Sequence, residues 1–391
     1  MTHRPAGRPS PTAMPHARLA FGHKRECVMM TPKENYLAAI RFRGPEYVPM
    51  GNEGILHAFQ FAGNFRCETW TDGWGVHWEQ GLAGTVPFPK GNPLPSLDRL
   101  ADYRFPDPGA LEYTSEIQAG LAVVDRGEKL IIGNLTYLLF ERAWAIMGME
   151  NFLMALVTHP AEAHAFLHGI AGYARGVFER YLELGVDGVG FSEDLGTQRA
   201  LMISPDMFRE FILPEYRFIF ENVLRAGKII NFHSCGCVQD IAADLAGIGV
   251  TILNPIQHRA NDLHTIKQAA MGGAFRGNAS HDNPSNAHMP KAHAQAARGN
   301  SQHAQAARGN AAHAHEARGT ELRGRMALQG AIDTAVLAMG TPADVRAEVE
   351  SVMAVLKPGG GYICQPDQGI PGIPPENTEA LWEAARDLGR Y

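Results

Sequence analysis

The stretch KIINFHSCGC, residues 228–237, joins a short apolar run to histidine and cysteine side chains. The run Lys228–Phe232 is continuous rather than alternating, which predicts a strand buried on both faces of a parallel sheet. Similar runs lie on either side of it: Lys129–Gly133 (KLIIG), Val186–Phe191 (VDGVGF), Val250–Leu253 (VTIL), Met326–Gly330 (MALQG) and Gly361–Cys364 (GYIC), with an earlier one at Tyr47–Met50 (YVPM). Amphipathic helical stretches, among them Pro160–Leu184 and Pro205–Ala226, separate most of these runs. Strand–helix alternation implies parallel strands joined by right-handed crossovers. Seven runs, with room for an eighth, predict an α/β fold of the closed (β/α)8 barrel type. An open doubly wound sheet would want a GxGxxG turn after its first strand, and none occurs there.

The 391 residues, 45% of them hydrophobic, are ample for one large core. A net charge of -6 and a pI near 6.3 argue against a nucleic-acid partner. No apolar run reaches the roughly 18–20 residues that span a bilayer. Residues 1–29 carry basic residues and prolines without periodicity, an acidic residue or the apolar core of a secretory signal, so they read as a disordered extension. The barrel domain is then 30–391, with Met30 a candidate start. Residues from about 273 to 322 break the rhythm with a ten-residue near-repeat, and six histidines fall between His281 and His315. This tract reads as a low-complexity surface insertion, with a metal-collecting role as the rival reading. Five cysteines, sparse and odd in number, fit a reducing cytoplasm rather than a disulfide framework.

In a barrel of this kind, chemistry gathers where strands end at the C-terminal face. The residues just beyond the runs are Asn134, then Glu193 and Asp194, with Gln198 a few residues on. They continue with His233, Cys235 and Cys237, then Asn254 and Gln257, Asp333, and Gln368 after Cys364 in the last run. Glu193, Asp194 and Asp333 are candidate acid–base groups, and the amides are candidate substrate ligands. His233 and Cys235, two apart at a strand end, point to one face and can reach one cation. Imidazole with thiolate suits zinc, at roughly 2.0–2.3 Å per bond, and a catalytic zinc wants a third protein ligand. Cys364, Cys237, Glu193 and Asp194 all remain open for that place, and a buried, metal-free pair is the alternative. The tryptophan-rich stretch Trp70–Trp78 offers Trp74 as a pocket wall, or a hairpin packed on the barrel. Glu141 and Arg142 read as a pocket element or a surface ion pair.

Further motifs fall into place around these. Met30-Thr-Pro-Lys-Glu-Asn-Tyr with Tyr47-Val-Pro49, Asp194-Leu-Gly-Thr-Gln198, Ile203-Ser-Pro205, Phe232-His-Ser-Cys-Gly236, Leu253-Asn-Pro-Ile-Gln257, Gly330-Ala-Ile-Asp333, Gly340-Thr-Pro342 and Pro375-Glu-Asn377 together resemble the uroporphyrinogen decarboxylase superfamily. The resemblance implies a (β/α)8 barrel over nearly all of 30–391 outside the insertion. Decarboxylases of that superfamily carry an arginine-rich motif near the first strand, whereas Met50-Gly-Asn-Glu-Gly54 holds no arginine. The HxC pair instead resembles the zinc-dependent methylcobamide methyltransferases, which pass a methyl group from a corrinoid protein to a thiol or tetrahydrofolate. The resemblance thus implies a methyltransferase with zinc, a methylcorrinoid delivered by a partner protein and a small-molecule substrate. A decarboxylase is the runner-up and a non-enzymatic metal-binding role the third reading; a homodimer is compatible. Where that branch places its third zinc ligand, a cysteine, this chain has Gln368. Cys364, four residues earlier, either replaces that ligand or merely packs.

Overall fold

The computed structural model describes residues 29–60, 69–81, 87–110, 114–272, 324–369 and 372–391. The histidine-rich tract at 273–322 and all but the last residue of the 1–29 extension lie outside the described residues. Seven strands form one parallel sheet in sequence order: β1 (Ile55–Gln60), β5 (Leu130–Leu135), β6 (Gly188–Ser192), β7 (Ile229–His233), β8 (Ile252–Ile256), β9 (Ala327–Ile332) and β10 (Tyr362–Pro366). Between β1 and β5, the short antiparallel strands β2 (Trp70–Thr71), β3 (His77–Glu79) and β4 (Phe88–Lys90) make a separate sheet.

The last strand returns to the start of the chain. The Cys364 amide donates to the Pro49 carbonyl at 2.9 Å, and Gly51 donates to the Cys364 carbonyl at 2.8 Å. Six of the seven strands supply Ile55, Leu130, Ile132, Ile229, Ile252, Ala327 and Ile363 to one buried cluster, which Tyr36 and Ile40 of helix Pro32–Ile40 close from below. Side chains of the first and last strands meeting in one plug describe a barrel interior, not an open sheet. The run at Tyr47–Met50, expected to be the first strand, contributes this edge pairing through Met50, while the strand that enters the sheet begins at Ile55. The unbroken burial of Leu130–Gly133, Gly188–Phe191, Ile229–Phe232 and Ala327–Ile332 matches their continuous apolar character.

Helices wrap the outside. Pro160–Glu183 follows the expected bounds closely. The expected helix over Pro205–Ala226 is continuous but changes pitch: Phe208–Ile212 is a wide π-type turn before Leu213–Arg225. Pro214 explains the change, since it has no amide hydrogen to give to the preceding turn. Among the described residues no helix is long and apolar enough to cross a membrane.

Candidate metal and substrate site

Strand alternation sorts the barrel interior into two zones. Below lie the isoleucines and leucine of the plug. One step up, the same faces carry Asn134 on β5, Asn231 on β7, Asn254 on β8, Gln329 on β9 and Gln365 on β10. Above them, at the end of β7, His233 reaches the mouth. A cavity of about 230 Å3 opens here, lined by Asn134, Leu135, Thr136, Gly190, Phe191, Ser192, Asn231, His233 and Asn254. Gly190 makes room for it, because a Cβ there would stand 2.4 Å from the Asn134 amide oxygen.

At the rim, Asp194, His233 and Cys235 bring a carboxylate oxygen, a ring nitrogen and a sulfur within 4.8 Å of one another. His233 Nε2 lies 3.6 Å from Cys235 Sγ and 3.7 Å from Asp194 Oδ1. The Cys235 amide donates to Asp194 Oδ1 at 2.8 Å, which fixes the carboxylate beside the thiol. Burial, and then the Asp194 charge, push the Cys235 thiol up to about 12. Without a neighbouring cation this sulfur stays protonated. One nitrogen, one sulfur and one oxygen donor so close together could hold a metal ion, and all three are ligand types that zinc accepts.

The loop is clamped so that this geometry holds. Gly236 adopts φ +80°, and a Cβ there would lie 2.2 Å from the Gly196 carbonyl oxygen. The left-handed turn sends Cys237 away, where it is buried and its amide donates to Thr197 O at 2.7 Å. The Gln257 amide oxygen accepts from the Gly236 amide and from Gln198 Nε2, both at 2.9 Å. The Asn261 side chain accepts from Val238 N and donates to Gly236 O, at 2.9 Å each. Gln198 and Gln257, expected as substrate ligands, therefore hold the loop that carries His233 and Cys235.

Several sequence-derived candidates lie elsewhere. Glu193 is fully buried and its carboxylate is taken up by the amides of Leu139, Phe140 and Glu141 and by the Tyr216 hydroxyl. It anchors a helix N-terminus, where peptide dipoles favour negative charge, yet burial raises it to about 7. Cys364 does not join the metal group. It shares the helix-facing side of β10 with Tyr362, is fully buried and is pushed up to about 12 by that burial. Asp333 caps helix Thr334–Met339 through the Ala335 amide at 2.8 Å and pairs with Arg259. Gln368 is exposed, and its backbone amide donates to Thr334 Oγ1 at 3.1 Å. Trp74 is 5% exposed, so it is not a free pocket wall; it packs edge-on against Tyr173 at 4.8 Å.

Glu141 and Arg142 are not a surface pair. Arg142 is 3% exposed, stacks over Trp74 at 5.1 Å and bonds Asp72 at 2.7 Å. Glu141 is buried behind Asp194, and burial followed by the charges of Asp194 and Glu193 raises it well above the carboxylate range. Its Oε2 has no hydrogen-bond partner. Asn231, Gln329 and Gln365 also went unread. Each sits inside an apolar run or at its edge, and the period-two face shared with His233 or Ile363 was the signal that marks them.

A family model described as "Uroporphyrinogen decarboxylase (URO-D)" matches residues 73–388. A solved "methyltransferase from Methanosarcina mazei" is similar over 92% of this chain and 99% of that chain, with a TM-score of 0.60 and 15% identity. A B12-independent methionine synthase from Shewanella sp. W3-18-1, solved with selenomethionine, aligns over 70% of this chain and 64% of that chain, at a TM-score of 0.38 and 9% identity. Curated protein sequences give no match.

Proposed function

Because the chain belongs to the uroporphyrinogen decarboxylase (URO-D) family and is an enzyme, we propose that it is a methyltransferase, passing a methyl group from a corrinoid carried by a partner protein to a thiol or tetrahydrofolate acceptor. The convergence of Asp194, His233 and Cys235 over an open cavity carries this reading. The Methanosarcina methyltransferase with the same barrel agrees with it. His233, Cys235 and Asp194 would hold zinc, with Asp194, rather than Cys364, filling the third place that the sequence left open. Zinc at such a site binds an incoming thiol and lowers its pKa, supplying a thiolate at neutral pH.

The chain's own residues do the rest. Gln257 and Asn261 hold the loop from His233 to Cys237 in one conformation, so that the donors are preorganised. The Asp194 backbone amide bonds the Glu141 carboxyl, which fixes the carboxylate from behind. The polar cavity below orients the small molecule, and the isoleucine plug seals the barrel against water from the other end. The reading places the enzyme in the cytoplasm, where these thiols stay reduced.

Metal analysis of the purified full chain tests it. We expect about one zinc per chain, lost in Cys235→Ala, together with methyl transfer from methylcobalamin to a small thiol. Full methyl transfer by metal-free protein would overturn the reading.

A further inference from the structure

The layer beneath the metal group has a chemical character that the methyl-transfer reading does not specify. Asn134, Asn231 and Asn254 supply three carboxamides to the cavity wall, with Thr136 and Ser192 beside them. Asn254 Nδ2 donates to the Asn231 side-chain oxygen and, at 3.2 Å, to Phe232 O, so these two amides are held in a fixed orientation. Across the barrel Gln329 donates to the Gln365 side-chain oxygen. Gln329 is 3% exposed, and its Oε1 is a buried acceptor without a partner.

None of the nine lining residues is Lys, Arg, Asp or Glu. Arg142 and Arg259 are engaged elsewhere, with Asp72 and Asp333. Beside the lining His233, at 3.7 Å, stands a carboxylate, Asp194. A substrate carboxylate, sulfonate or phosphate entering this layer would leave water and find no lysine or arginine among the lining residues to pair with. An uncharged head with an N–H donor beside a C=O acceptor would meet fixed amides of matching polarity. A site built of buried donors and acceptors discriminates strongly, because the wrong partner leaves them unpaired.

We propose that the small molecule meeting the metal group carries an uncharged amide- or lactam-type head, which Asn134, Asn231 and Asn254 read, and that anionic heads are rejected. The proposal rests on the reading of Asp194, His233 and Cys235 as the reaction centre. It narrows the substrate class at that same site and excludes sulfonated or phosphorylated acceptors.

Benzamide and benzoate test it, since the two have nearly the same shape and differ in charge. Calorimetric titration of the full chain at pH 7, with and without added zinc, should show benzamide binding at least about tenfold tighter than benzoate. Asn231→Leu and Asn134→Leu should each weaken benzamide by about tenfold, with zinc content and the unfolding midpoint close to those of the unaltered chain. Asn254→Asp, which keeps the shape and adds charge, should weaken benzamide too and cover the case in which a leucine variant fails to fold. Equal or tighter binding of benzoate in the zinc-free protein, or unchanged benzamide affinity in all folded variants, would overturn the proposal. Zinc content separates the two readings. Zinc without amide preference sinks this inference alone, and amide preference without zinc sinks the metal reading alone.

Discussion

Glu193 and Asp194 are adjacent in sequence and opposite in fate. Leaving β6, one turns back into the wall and the other into the mouth. Sequence alone marks both as carboxylates at a strand end, and only the alternation of faces, followed past the strand, separates them. Each therefore fails differently when removed. Glu193→Ala leaves the amides of Leu139, Phe140 and Glu141 buried without an acceptor. Unpaired buried donors cost about 1–3 kcal/mol each before relaxation, so a loss of about 3 kcal/mol or more in urea unfolding is expected. Asp194→Ala removes a half-exposed carboxylate and should cost about 1 kcal/mol or less; under the proposed function it should also abolish zinc binding. Equal destabilisation by the two substitutions would contradict this division. Cys364 supplies the control. Cys364→Ala should lower stability by about 1 kcal/mol through lost packing and leave zinc content as it is. Its cysteine chemistry was legible in the sequence; its direction, facing the helices beside Tyr362, was not.

Two elements are pinned to the barrel by charges that the sequence could not pair. The β2–β4 sheet is held through Asp72, which accepts from Trp74 N, Val76 N and Trp78 Nε1 at 2.9–3.0 Å and from Arg142 at 2.7 Å. Seventy residues separate that pair, and no periodicity links positions so far apart. With exposures of 3% and 10%, losing one partner strands a buried charge. Asp72→Ala should cost about 3–5 kcal/mol, and combining it with Arg142→Met should recover part of that loss. A cost below about 1 kcal/mol would show that the pair is not anchoring the sheet. The second tie joins the loop after β8 to helix Pro342–Leu356. His258 Nδ1 lies 3.1 Å from Glu348 Oε1 and 3.0 Å from Ala331 O. The Glu348 hydrogen bond raises this histidine to about 9. Its folded pKa exceeds its unfolded one, so its stabilisation is complete below about pH 6.5 and is lost as pH rises through about 9. Replacing Glu348 with Gln should flatten the stability–pH curve in that window and lower the His258 pKa measured by NMR. An unchanged histidine titration would refute the tie. The strands themselves were legible because a sheet covered on both faces needs continuous apolar runs. β1 was not, because Ile-Leu-His-Ala-Phe-Gln is broken by polar residues and looks like a loop.

At the scale of the whole molecule, the barrel interior changes from apolar side chain to carboxamide within one step along β5, β7, β8, β9 and β10. The lower zone makes the fold and the upper zone makes the site, which is why one sequence pattern signalled both. Reading only the residues beyond each apolar run recovered Asn134, His233 and Asn254. It missed Asn231 and Gln329, because amides set inside a run look like interruptions rather than a second layer. The histidine-rich tract lies outside the described residues. The described residues on either side of it meet: a Cβ on Gly272 would stand 2.7 Å from the Gly324 carbonyl oxygen. Met326 N also donates to Ala270 O at 2.8 Å, locking the helix Leu263–Ala270 to the start of β9. A chain that leaves and returns at one point can be excised without moving either end, and the closed loop is shortened by more than tenfold. Loop-closure entropy alone then favours the shortened protein by roughly 2 kcal/mol. Deleting 273–323 and joining the ends through a short glycine linker should therefore preserve the zinc content carried by Asp194, His233 and Cys235 and leave the unfolding midpoint equal or higher. Loss of folding would show that the tract packs on the barrel, and a fall in zinc per chain would show that its histidines, not the strand ends, collect the metal.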